Sequence, residues 1–457
     1  MTLAAARYAF SSVKELGALL RSGEVTSRQL TRFYLERLER LGRPWGAVVN
    51  LDAQGAMQAA EQADAMLRNG TDLGPLHGIP YAVKDIFATV PPLPTTWGAA
   101  PFRDRQLSTD ADAILNLRKA GAILLGKLAL IEMAATLPFE SFDASVTGAC
   151  RNPFDLEAWT GDSSSGSASA VGGGLVPFSV ATETRGSIVQ PSAFCGAVGL
   201  RPTVGLVPSG GTLQLSETFD RIGPIARHAE DCAVVVSALT AERLSDRNVE
   251  APCIGLLRPS AELDQPEVIA NFDAAVERLA SFAELKVFSL PPRPYRETYL
   301  AIFLFEARRN FLPFIEDGTV DRLDSPLAKG GAYLAEPVEE AAYRRALTQR
   351  EDLLAEWLDV TAKFHALVTT TSPKVAPPLN ATFTAYFGPE EHEPITTAGA
   401  LLGLPAITIP SGLGARLLPT GLQLVGRPKD DLLLCQIAGK LQGLLPTVMP
   451  PRENVLR

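Results

Sequence analysis

Histidine and cysteine are scarce in this chain, and basic runs and long apolar runs are missing. The five cysteines, Cys150, Cys195, Cys232, Cys253 and Cys435, are odd in number and widely spaced along 457 residues. None has CxxC or Cys/His spacing, so neither a zinc site nor a disulfide framework is expected. The four histidines, His77, His228, His365 and His392, form no HExxH-type pair. A metal site or a histidine-based triad would have to be assembled from distant residues. A net charge of −9 without a Lys/Arg-rich run leaves no footprint for nucleic acid. No uncharged apolar run reaches membrane-span length without a Pro or Gly, so no membrane segment is expected. The opening MTLAAARYAFSSVKELGALLRSG lacks a basic region ahead of a long apolar one, and does not read as a signal peptide. These absences lead to an expectation of a soluble, reduced, cytoplasmic protein.

What is present is an ordinary globular composition, 46% hydrophobic and 20% charged, with enough apolar residues for a large core. The length allows two or three domains or one large α/β unit. Ser11–Ser12 and Thr26–Ser27 cap amphipathic stretches, and AVVNL (47–51) reads as a strand. QGAMQAAEQADAMLRNG reads as a helix closed by Gly70, YAVKDIF has strand character, and DADAILNLRKAG precedes a buried strand, AILLGK. Pro191 and Pro202 read as breaks in a region of short elements. AITIP, GLQLVGR and DDLLLCQIAGKLQGLL resume the alternation near the C-terminus. Helix alternating with buried strand favours an α/β fold: one central twisted mixed β-sheet covered by helices on both faces. Residues 1–457 are expected to form one domain, with a core at about 60–235 and 400–445. The stretch from about 290 to 400 has a different texture, and reads as a variable wall or lid.

Three polar positions stand out. Lys84 lies among Ile79, Tyr81, Val83, Ile86 and Phe87; a lysine in a strand is ordinarily solvent-facing or snorkelling. Ser163 and Ser187 lie in GDSSSGSASAVGGGLVPFSVATETRGS (161–187), and a lone loop serine is ordinarily a turn or cap. Together they suggest a chemistry. A serine hydroxyl is a weak nucleophile without a base, and a lysine can be that base if burial lowers its pKa. A second serine can relay the proton, and small residues let backbone N–H groups approach a developing oxyanion.

Five ordered segments carry a resemblance. GIPYAVKD (78–85) is similar to G-x-P-x-x-V-K-D, GDSSSGSA (161–168) to GGSSGGSA, and ATETRGSIVQPS (181–192) to GTDTGGSIRxPA. GLPAITIPSG and LPTGLQLVGRP match as well, and Ser163 and Ser187 keep a separation of 24 positions. The chain thus resembles the amidase signature family of Ser-Ser-Lys hydrolases over nearly its whole length. The resemblance implies Ser187 as nucleophile, Ser163 as a relay following a cis peptide bond from Asp162, and Lys84 as general base and acid. It implies backbone N–H groups of Thr184, Arg185, Gly186 and Ser187 as the oxyanion hole. No cofactor or metal is implied, and the partner is a small amide or carbamate, in a monomer or homodimer. Within the family, SSSGSAS and TETRGSIVQ most resemble the metagenomic urethanases.

The departures are specific. Arg185 stands where many members have Gly, and its cation could narrow the pocket, bind an acyl-side group or point to solvent. Asp162 and Ser165 replace signature glycines, and Glu183 replaces an aspartate; these read as changes in packing. Glu132, Arg201, Cys195, Trp97 and His77 read as scaffold. Alternatives are a subunit of a glutamine-dependent tRNA amidotransferase, which needs protein partners, and a scaffold that has lost activity. A phosphate cradle fails, since no GKS or GKT ends the Gly-rich stretch and no GxGxxG follows a strand.

Overall fold

The first two helices begin where their caps predict. Ser12 accepts from the Glu15 N–H while the Glu15 carboxylate accepts from the Ser12 N–H, opening the helix Val13–Ser22. Thr26 and Gln29 repeat the device for Ser27–Arg37, which widens into one π turn, Leu38–Gly42. The computed structural model describes residues 8–134, 142–240, 244–245, 247–325, 337–388 and 394–455.

Eleven strands among these residues form one mixed sheet. They are β1 (Val48–Leu51), β2 (Pro80–Lys84), β3 (Ile123–Leu128), β4 (Phe178–Glu183), β5 (Val198–Arg201), β6 (Arg221–Ala226), β7 (Cys253–Leu256), β8 (Glu284–Val287), β9 (Ala366–Thr370), β10 (Ala406–Leu413) and β11 (Pro419–Val425). Their order is β1-β3-β2-β4-β6-β5-β10-β11-β9-β7-β8. Every residue of β2, β4, β5 and β6 is buried, which requires layers on both faces of the sheet, as expected. β2 and β4 run parallel as neighbours, with Val83 opposite Val180. β6 returns antiparallel beside β4, pairing Arg221 with Glu183. The ends of β2 and β4 and the start of β6 therefore share one edge, and parallel strands commonly hold ligands beyond their carboxyl ends.

Two local readings change. Pro191 does not break the chain; it lies in the first turn of the helix Val189–Phe194, where no N–H is needed. The 290–400 stretch supplies long helices, Tyr295–Glu316 and Glu340–Val360, but also an interior strand, β9, between β11 and β7.

Candidate active site

Lys84 is the last residue of β2, and its side chain has no exposed surface. Its Nζ donates to Ser163 Oγ at 2.8 Å, to Thr182 Oγ1 at 3.0 Å and to the Thr182 carbonyl at 3.4 Å. Burial pulls this ammonium down to about 7, against the opposing fields of Asp220, Asp162 and Glu183. A neutral amine, able to accept a proton, is thereby available near neutral pH.

Ser163 reaches Lys84 from a turn that the serines and glycines make possible. The Asp162–Ser163 peptide bond is cis, as the resemblance implied, and Gly161 has φ +84°. A Cβ on Gly161 would lie 2.8 Å from Pro191 Cα, so the turn leans on the helix Val189–Phe194. The helix Ser165–Gly172 follows, buried at every residue. A Cβ at Gly166 would come within 2.4 Å of backbone atoms of Ala129 and Ala47. Only small side chains fit so close to the sheet, and their hydroxyls are satisfied there. Ser164 Oγ donates to the Thr182 carbonyl, and Ser179 Oγ to Ser167 Oγ.

The second turn, 184–187, leaves the end of β4. The Glu183 carboxylate accepts from the N–H groups of Ile188 (2.7 Å) and Val189 (3.0 Å) and pairs with Arg201 at 3.0 Å. Burial works to raise its pKa. Arg201 and the N–H groups of Ile188, Val189 and Gly186 outweigh that and hold it below the usual carboxylate range. Gly186 takes φ +83°, which a side chain would resist. Thr184 Oγ1 donates to Asp220 at 2.6 Å. Arg185, half-buried, directs its Nε to Thr397 Oγ1 at 2.6 Å.

Ser187 is half-buried, and its hydroxyl bonds neither Ser163 nor Lys84. The structure thus joins Lys84 to Ser163, while the link to Ser187 is not a hydrogen bond here; such contacts commonly tighten only with substrate.

Asp220 escaped the sequence reading. It precedes β6, accepts from the N–H groups of Leu215 (2.6 Å) and Ser216 (3.2 Å) as well as from Thr184, and burial raises its carboxyl to about 6. A usable signal was its place one residue ahead of a buried strand, in FDRIGPIA. The scaffold residues hold structural contacts. Glu132 accepts from the N–H groups of Asp324 and Ser325, both at 2.9 Å, and Cys195 Sγ donates to the Thr160 carbonyl. Trp97 packs against Phe102 and Phe314 with Arg105 over its ring, and His77 Nδ1 accepts from the Leu73 N–H. Among the described residues no three His, Cys, Asp or Glu side chains gather as a metal site. No described helix is long and apolar enough to cross a membrane.

The family model described as Amidase matches residues 29–435. The chain belongs to the amidase signature family. It is 32% identical to the A-type subunit of glutamyl-tRNA(Gln) amidotransferase from Roseiflexus sp. (strain RS-1), with 93% of this chain and 94% of that protein aligned. The crystal structure of the peptide amidase from Stenotrophomonas maltophilia superposes with a TM-score of 0.83 at 29% identity, covering 97% of this amidase and 99% of that one. A bacterial aryl acylamidase of the same family shares the fold at a TM-score of 0.82 and 20% identity, over 95% and 96% of the two chains. The sheet and the amide-hydrolase class thus have a common explanation.

Proposed function

We propose that this amidase hydrolyses small or aryl amides without a cofactor, through an acyl-enzyme on Ser187. One observation carries the reading: Lys84, wholly buried, is hydrogen-bonded to Ser163 Oγ beside β4, the strand that leads into the turn bearing Ser187. Neutral Lys84 takes the Ser163 proton as Ser163 takes that of Ser187, and Ser187 Oγ attacks the carbonyl carbon. The carbonyl π pair moves onto oxygen, facing the N–H groups of Thr184, Arg185 and Gly186, the last shared with Glu183. Collapse expels the amine, which takes its proton back along the relay. Water then adds to the acyl ester with the relay reversed, releasing the acid and restoring Ser187.

A carbamate offers the same kind of carbonyl. Its amine and alcohol leave in the two steps, and the carbon departs as carbon dioxide. The likeness of SSSGSAS and TETRGSIVQ to urethanase segments supports this extension, and the peptide amidase relative supports the amide reading. The test is nitroaniline release from a nitroanilide and from an alkyl N-nitrophenylcarbamate, by wild type and Ser187→Ala. Turnover that vanishes in the variant is expected, with the rate ratio ranking amide against carbamate. Full activity in Ser187→Ala would remove the mechanism.

The curated relatives favour a second reading, an amidotransferase A-type subunit that releases ammonia from glutamine beside protein partners. Glutamine hydrolysis appearing only with partner subunits, and none of the anilide, would favour it.

A further inference from the structure

Three carboxylates act on the charge of Lys84, and two of them are engaged. Glu183 is paired with Arg201, and Asp220 is held by Thr184 and two backbone N–H groups. Asp162 differs. It is 7% exposed, and its Oδ2, shut off from solvent, has no hydrogen-bond partner. Its turn carries Ser163 and leans on the helix that follows Ser187, and the cations that act on it are Lys84 and Arg185. The turn that bears the carboxyl therefore packs beside the helix that follows Ser187.

A buried acceptor without a donor is costly, and a ligand that brings a donor relieves that cost. The relay accounts for the two serines, and backbone N–H groups account for the carbonyl oxygen. The donor left over is the N–H of the bond to be cut. We propose that Asp162 is a specificity residue that accepts the N–H of the scissile amide or N-substituted carbamate. It thereby selects these substrates over esters, which have no such hydrogen. This rests on the hydrolase reading above. Burial raises the Asp162 carboxyl to about 7, against Lys84, Arg185 and the hydrogen bond from its own backbone N–H, and it is Oδ2 that is left without a donor.

Three acyl-matched substrates test the proposal: nitroacetanilide, its N-methyl derivative and nitrophenyl acetate, assayed above neutral pH. Asp162→Ala is expected to lower kcat/KM on the N–H anilide by about tenfold, the scale of one lost hydrogen bond to a charged group. The N-methyl anilide and the ester, having no N–H to lose, should keep most of their rate. Asp162→Asn, which retains an oxygen acceptor, should fall between. An equal drop on all three substrates would reveal a merely structural role and overturn the proposal, as would an unchanged rate on the N–H anilide. Ser187→Ala, run alongside, separates the two claims. If it retains turnover, the hydrolase reading fails whatever Asp162 does. If it is dead while the Asp162 variants lose all three substrates equally, only the specificity role fails.

Discussion

Burial pulls the Lys84 ammonium down to about 7 while Asp220, the largest opposing charge, pushes it back up. A general base works deprotonated, so kcat/KM on an anilide should rise with pH through neutrality and level off above it. Asp220→Asn removes the charge while keeping an oxygen for Thr184 to donate to. Lys84 then releases its proton more readily, and the acid limb should move to lower pH. A limb that stays in place or moves up would show that Lys84 is not the group being titrated. Lys84 and Ser163 were legible because each lies in a short local motif. The direction of Arg185 and the role of Asp220 were not, because their partners stand 212 and 36 positions away. Nothing within ATETRGS shows that this long cation reaches Thr397.

The elements add a clasp behind the turn 184–187. Loop 215–220 is tied to the turn by Asp220 and to the helix Tyr295–Glu316 by Glu306. The Glu306 carboxylate accepts from Ser216 Oγ, from Thr218 N–H (3.1 Å) and Oγ1 (2.6 Å), and from Tyr343 OH (2.8 Å) on the helix Glu340–Val360. The stretch read as a variable wall thus bears on the candidate site through the Glu306 carboxylate as well as through Thr397. Glu306→Ala strands these donors, at a cost of ~1–3 kcal/mol for each group left unsatisfied. It should lower the urea midpoint and reduce kcat more than it changes KM. An unchanged kcat in a destabilised but folded variant would mean the clasp holds the helix and not the turn. Helices were legible where caps and periodicity agreed, as at Ser12 and Thr26. β9 was not, because ALVTT is a short run that becomes a strand only by pairing with distant strands, with β11 from Leu367 opposite Val425 to Thr370 opposite Leu422 and with β7 from Ala366 opposite Ile254. Pro191 misled because a proline in a first turn looks in sequence like one that ends an element.

On the scale of the whole molecule, a buried polar knot fastens the two halves of the sheet. Arg201, at the end of β5, pairs with Glu183 on β4 and donates to the Leu404 carbonyl, while Arg221 donates to the carbonyls of Leu404 and Ala400. Glu183 and Arg201 are both fully buried, so removing one charge leaves the other uncompensated. Glu183→Gln keeps the shape and should cost roughly 3–5 kcal/mol in urea unfolding. A loss below about 1 kcal/mol would place the pair among weak ion pairs of the exposed kind. The overall α/β architecture was legible from the alternation of helix and buried strand. The strand order was not, since β5 meeting β10 rests on pairing across some 200 residues. The most direct test of the chemistry is to trap the covalent intermediate. Wild type would be mixed rapidly with a nitrophenyl N-alkylcarbamate, quenched, digested and mapped by mass spectrometry. A single carbamoyl adduct on the peptide carrying Ser187 is expected, and an adduct on any other residue, or turnover with none, would contradict it.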